Sequence, residues 1–179
     1  VLFRTIFFLL ACFCLQASFS QSADGLLDMP RLRSVLSETT LEAYPDADDV
    51  MIDDYIQVRY EADGTSVTWD DTLVKVLTQK GRDDNRSIRL YFHAGYGTAE
   101  FIFVQVIKAD GSVVSVDLAK QSQVMIDRSQ MSSNIYDPQH KINQVNIPAL
   151  EIGDAVRYYT CRKIFKARVP DTFSDFQVL

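Results

Sequence analysis

Hydrophobic residues recur along most of this chain with a period of two, broken at short intervals by glycine, aspartate and asparagine. From Val50 to Glu61, Val50, Ile52, Ile56, Val58 and Tyr60 alternate with Asp53, Gln57, Arg59 and Glu61. That alternation predicts a strand with one buried and one wet face. Ala62-Asp63-Gly64-Thr65 then supplies a tight hairpin turn, because glycine tolerates positive φ and aspartate bonds its own backbone. Ser66 to Thr78 returns as a second strand. Its apolar set shifts from Val67 and Trp69 to Val74 and Val76, which predicts a bulge or bend near Asp70-Asp71. Gly81, Asp83, Asp84 and Asn85 mark another turn, and Ser87 to Phe92 alternates again, burying Ile88, Leu90 and Phe92. Phe101 to Ile107 is apolar almost without a break, the pattern of a central strand covered on both faces. Asp110-Gly111 closes it into a hairpin with Val113 to Val116. Ser122 to Pro138 reads as a long polar loop. Lys141 to Ile147 and Ala155 to Phe165 resume as strands, separated by Pro148 and a turn at Gly153-Asp154.

Helical spacing shows at one place, between Asp24 and about Tyr44, where Met29, Leu32, Val35 and Leu36 recur and Pro30 suits an early helical turn. Many short strands, glycine turns and one short helix predict an all-β fold. The architecture expected is an antiparallel β-sandwich with a short N-terminal helix. The chain divides into residues 1–20, a lead-in segment over 21–43, and a sandwich over 44–179. It stops in the apolar run Phe176-Gln177-Val178-Leu179, which reads like the start of a further strand, so the sandwich is expected to lack its last strand or strands.

Residues 1–20 carry one cation, Arg4, then an apolar run from Ile6 to Leu15, then Ser18-Phe19-Ser20. This is the order of a secretory signal peptide, and the expectation is export to the periplasm or cell surface. An apolar run of about ten residues is half of what a bilayer-spanning helix needs, so no permanent membrane span is expected. Leu9-Leu10-Ala11-Cys12 offers an alternative processing route, a loose bacterial lipobox in which Cys12 would be acylated. Val1 in place of Met suggests a non-standard start codon or a chain beginning inside a longer one.

Composition narrows the functions. Lys+Arg 18 against Asp+Glu 24 gives a net charge of −6, and no basic stripe overrides it, so nucleic acid is not an expected partner. Cys161 is the one cysteine outside the signal segment, which leaves no intramolecular disulfide to form. It lies inside Tyr158-Tyr159-Thr160-Cys161-Arg162-Lys163, a strand interior with no helix start to lower its pKa, so it reads as a packed cysteine rather than a nucleophile. His93 falls on the wet face of its strand and His140 in a polar loop, and both read as surface residues. No His or Cys pair has zinc-ligand spacing, and no metal or cofactor is expected. Asp46, Asp48, Asp49, Asp53 and Asp54 could attract calcium but lack the glycine of a calcium loop. A solvated acidic edge is the simpler account. Tyr91, Phe92, Tyr96, Phe101 and Phe103 read as core at strand spacing, with a glycan or peptide platform as the alternative. No phosphate-binding glycine loop and no Gly-x-Ser-x-Gly elbow occurs, so no catalytic residue is expected in this chain.

Four stretches occur in a telling order: Tyr44-Pro45-Asp46-Ala47-Asp48-Asp49-Val50, Ile107-Lys108-Ala109-Asp110-Gly111-Ser112-Val113-Val114, Ile147-Pro148-Ala149-Leu150-Glu151-Ile152-Gly153-Asp154-Ala155-Val156-Arg157-Tyr158-Tyr159, and Phe173-Ser174-Asp175. From about Glu42 to Leu179 the chain resembles the domain of unknown function that precedes a transglutaminase-like domain in exported bacterial proteins. The resemblance implies an extracytoplasmic β-sandwich module followed by a papain-like cysteine domain with a Cys-His-Asp triad. That triad would begin beyond Leu179, so none of its residues carries over to this chain. The function expected is a non-catalytic exported module that packs against, or presents substrate to, a following transglutaminase-like domain. Two alternatives stand beside it: the N-terminal fragment of a cysteine peptidase or transglutaminase-like enzyme, and an independent glycan- or peptide-binding module.

Overall fold

A computed structural model describes residues 26–129, 137–169 and 171. The signal segment, Cys12 and Phe173-Ser174-Asp175 lie outside the described residues. The chain runs α1 (Met29–Glu38), β1 (Asp49–Tyr60), β2 (Ser66–Val76), α2 (Gln79–Asn85), β3 (Ser87–His93), β4 (Gly97–Ile107), β5 (Val113–Ser115), α3 (Leu118–Gln121), β6 (Ser122–Ile126), β7 (His140–Asn146) and β8 (Ala155–Ile164). Every strand pairing is antiparallel. A five-stranded sheet has the order β1-β2-β8-β4-β5, and a three-stranded sheet the order β3-β7-β6. The expected all-β sandwich is therefore the architecture found.

The main core lies between the sheets. Val74, Val76, Phe101, Val104, Val106 and Val156 from the larger sheet meet Val145 from the smaller one, with Ile88 and Leu90 packed against them. Each fully buried side chain of this kind contributes about 1.5–3 kcal/mol. One polar link crosses this core: Asn143 of β7 donates through Nδ2 to the Ala99 carbonyl of β4 at 3.0 Å and accepts from Ser122 Oγ at 2.9 Å.

A second, smaller core lies on the outer face of the larger sheet. There α1 lays Leu32 and Leu36, with Leu27, onto Leu73 and Ala155. The helix begins as its sequence suggests. Asp28 accepts from the Arg31 N–H at 3.2 Å, and Pro30 occupies the first turn, where its missing donor costs nothing. Beneath it Arg157 grips Asp71 in two bonds, Nε to Oδ1 at 2.9 Å and Nη2 to Oδ2 at 2.5 Å. The same carboxylate accepts the Leu27 N–H at 3.0 Å, so a buried charge pair ties the chain entering α1 to the sheet.

Four expectations need correction. No bulge interrupts β2 at Asp70-Asp71: its register with β8 is unbroken from Ser66 opposite Ile164 to Lys75 opposite Ala155. The apolar set changes parity because both faces of β2 are covered, Val74 and Val76 facing the main core and Leu73 lying under α1. The irregularity lies instead in β1, between Met51 and Asp53. That strand, the edge of its sheet, has no fully buried face; Ile56 and Tyr60 stand exposed. The turn expected around Gly81 is the helix α2, capped by Thr78 Oγ1 accepting from the Gly81 N–H. Finally, the polar stretch from Ser122 opens with a strand, β6, paired to β7.

The 147–159 stretch of the resemblance has a structural role. Asp154 is buried and its carboxylate accepts from Lys108 Nζ at 2.5 Å, the Ala109 N–H at 3.2 Å and the Glu151 N–H at 2.9 Å. Lys108 also donates to the Ala149 carbonyl at 2.9 Å. Leu150 enters the main core and Gly153 turns the chain at φ 89°. The Pro-x-Leu-x-x-Gly-Asp segment thus locks the β4–β5 hairpin to the entry of β8.

Candidate functional site at one end of the sandwich

The β1–β2 hairpin, the end of β3, the start of β4, the end of β6, the start of β7 and the end of β8 all fall at one end of the stacked sheets. The registers require it: Ser66 and Gly97 both face Ile164, His93 faces His140, and Ile126 faces Lys141. Between them lies a groove of about 430 Å³. In an acidic chain this groove is lined, among the described residues, by four cationic side chains, Lys141, Arg162, Lys166 and Arg168, against the one carboxylate of Asp127. Arg162 is fixed by donating through Nη1 to the Tyr91 carbonyl at 2.6 Å. The chain leaving β8 is held by the Phe165 and Lys166 N–H groups, both donating to the Tyr96 carbonyl, at 3.0 and 3.2 Å. Lys166 and Arg168 reach over the Tyr96 ring, 5.7 and 5.1 Å from its centroid, within cation–π range.

The rim carries the two histidines. His93 Nε2 lies 3.2 Å from Asp137 Oδ2, and His140 Nε2 lies 3.7 Å from the same oxygen. The rings of His93 and His140 meet edge-on at 4.9 Å, and Tyr96 packs on His93 at 4.7 Å. His93 Nδ1 accepts the Gly95 N–H at 3.1 Å, so its proton sits on Nε2 and points at Asp137. The Asp137 carboxyl is held below the usual carboxylate range, first by the Gln139 N–H donating to Oδ1 and then by the two histidines.

His93 closes β3 with a side chain 18% exposed, and His140, expected in a polar loop, opens β7 with a side chain 31% exposed. The structure unites them because directly paired residues of adjacent strands share a face. Lys166, Arg168 and Asp137 escaped sequence reading altogether. A cluster of cations after an aromatic-rich strand, Arg162 to Arg168, was the available signal.

Other candidates settle differently. Cys161 is buried between Trp69 and Glu100 in the sheet, and burial pushes its thiol pKa up. The acidic residues are spread over separate partners: Asp48 accepts from Thr78 Oγ1, Asp49 from Asn85, Asp53 from Arg31 and Asp54 from Thr72. Of the five aromatics read as core, Phe101 is buried, whereas Tyr91 is 51% exposed and Phe92 and Tyr96 line the groove.

The profile of a family described as a domain of unknown function with solved-structure structure, DUF3857, matches residues 62–179. No curated protein matches the chain in sequence. Among solved structures, one from Parabacteroides distasonis ATCC 8503, described as a "putative protease", is similar at a TM-score of 0.52 and 15% identity. The match covers 60% of this chain and 21% of that one, so the chain spans about a fifth of that protein's length. The CBM3a-L domain with flanking linkers from scaffoldin cipA of the Clostridium thermocellum cellulosome gives a TM-score of 0.34 at 11% identity, covering 63% of this chain and 68% of that one.

Proposed function

The chain belongs to the DUF3857 family, and on that premise we propose that it is an exported, non-catalytic β-sandwich module. In this reading it is the N-terminal accessory part of a transglutaminase-like protein and packs against, or presents substrate to, the domain that follows. The observation that supports the reading is the fold likeness to about a fifth of a longer chain described as a "putative protease". Cys161, buried and with its thiol pKa pushed up by that burial, supports a non-catalytic role. The order of charges and apolar residues in 1–20 supports export.

The test is the mass and N-terminal residue of the product released by the native host, combined with an amide-hydrolysis and amide-transfer assay of the full chain. A product heavier than 20.3 kDa, beginning at or near Gln21, with no activity in the 179-residue chain, is expected. A product at or below that mass, or activity that disappears in Cys161→Ser, overturns the proposal.

A second reading, a stand-alone binding module, is favoured by the groove itself, where Tyr91 and Tyr96 stand beside four cations. Such a lining suits an acidic peptide or an acidic glycan. Titration with either class should show binding weakened tenfold or more by Arg168→Ala, and an unchanged affinity removes this reading.

A further inference from the structure

We propose that His93, Asp137 and His140 form a binding site for one divalent transition-metal ion of the zinc class on the rim of the groove. This inference stands on the geometry of the rim alone and does not depend on the accessory-module reading. Two imidazoles and one carboxylate are the donors that zinc takes when three protein ligands leave a fourth position to water or another ligand. A tetrahedral ion with bonds of about 2.0–2.1 Å sets its ligand atoms about 3.4 Å apart. The two separations to Asp137 Oδ2, 3.2 and 3.7 Å, bracket that edge. One ligand atom from each of the three residues lies within 4.8 Å of the other two, so the three donors surround one point on the rim.

The fold places these donors independently of any ion. The β3–β7 register sets His93 opposite His140, and the turn that starts β7 brings Asp137 three residues upstream of it. The Asp137 carbonyl accepts the His140 N–H at 3.2 Å, and its Oδ1 accepts the Gln139 N–H at 2.9 Å. Oδ2 is thereby left as a single oriented donor. The three side chains are 18%, 35% and 31% exposed, which gives an ion a path in while restricting its water.

One contact limits the affinity. A metal on His93 Nε2 displaces the proton there to Nδ1, where the Gly95 N–H now points. Ligating histidines ordinarily give that proton to an acceptor, and losing such a partner costs about 10–100-fold in affinity. Together with the nearby Lys166 and Arg168, this sets the expected dissociation constant in the micromolar range. Magnesium and calcium, which prefer all-oxygen ligands, should not compete.

The experiment is calorimetric titration of the full chain with Zn²⁺, and visible absorption with Co²⁺, whose band intensity separates four- from six-coordination. Expected are one ion per chain at micromolar dissociation constant, an intense four-coordinate cobalt band, and no competition from excess Mg²⁺. Asp137→Asn and His140→Asn should each weaken binding at least tenfold, while Cys161→Ser leaves it unchanged. Both His140 and Asp137 lie at the rim, so those variants fold; a thermal melt without metal checks this, and His93→Asn is read only if its melt is intact. Binding weaker than millimolar, or binding that persists in both rim variants, or binding lost in Cys161→Ser, overturns the proposal.

Discussion

Asp71 and Asp70 are neighbours in β2 that meet opposite fates. Asp71 faces α1, is fully buried, and is matched by the two-pronged guanidinium of Arg157 and the Leu27 N–H. Removing one partner of such a pair strands the other charge, at a cost of about 3–5 kcal/mol. Asp71→Ala should therefore lower the urea midpoint of unfolding steeply, and a variant within 1 kcal/mol of the parent would show that the pair is not a keystone. Asp70 points to the other face. Burial, with the charges of Asp54 and Asp71 nearby, pushes its pKa up from 3.8 to about 6, against the Thr72 hydroxyl that pulls it down. A free-chain carboxyl ionises near pH 4, so between pH 4 and 6 the folded protein holds a proton the unfolded chain has released. The resulting stability is complete below pH 4 and is lost as the pH rises through 6. Asp70→Asn should stabilise the protein by about 1 kcal/mol at pH 7.5, the partial exposure of the group having been allowed for, and by nothing at pH 4. Thermal melts across that range check it, and a pH-independent difference would contradict the assignment.

Elements succeeded or failed as predictions according to what covers them. Hairpins at Gly64 and Gly111 and the turn at Gly153 were readable because each needs a positive φ, and these glycines adopt 82°, 83° and 89°. The helix α1 was readable from its spacing and from Pro30. In contrast α2 was read as a turn, since Gly81, Asp83, Asp84 and Asn85 are residues that punctuate a chain. What requires glycine at position 81 is tertiary. The Asp48 carbonyl accepts the Leu77 and Thr78 N–H groups and lies so close to Gly81 that a side-chain carbon there would sit 2.0 Å from it. Gly81→Ala should thus force Asp48 and α2 apart, at about 1–3 kcal/mol, although alanine favours a helix over glycine by about 1 kcal/mol. A denaturation midpoint equal to or above the parent's would mean that this approach is loose.

Across the chain as a whole, the larger sheet is covered on both faces, by the smaller sheet inside and by α1 outside. Leu27, Leu32 and Leu36 cover Leu73 and Ala155. Removing residues 1–38 should cost about 4–6 kcal/mol of apolar burial and uncover the Asp71–Arg157 pair. Binding of a hydrophobic dye and a lower urea midpoint are expected; an unaltered midpoint would show that α1 is an ornament of the fold. The arrangement also explains why the groove was invisible in the sequence. Among the described residues its lining comes from five separated segments, and only the strand registers bring Tyr91, His140 and Arg168 to one end.

The sequence by itself determined the strand-rich fold class, most of the turns, the short N-terminal helix and the packed place of Cys161. These depend on local chemistry: side-chain period, glycine conformations, proline and the burial of an apolar strand. Only the tertiary structure decided that β1 is an edge, that β2 is covered on both faces, that Gly81 packs against the Asp48 carbonyl and that His93, His140 and Asp137 meet. Each of those is a fact about a neighbour distant in sequence. A period of two says which residues share a face, and says nothing of which strand lies beside it or what covers it.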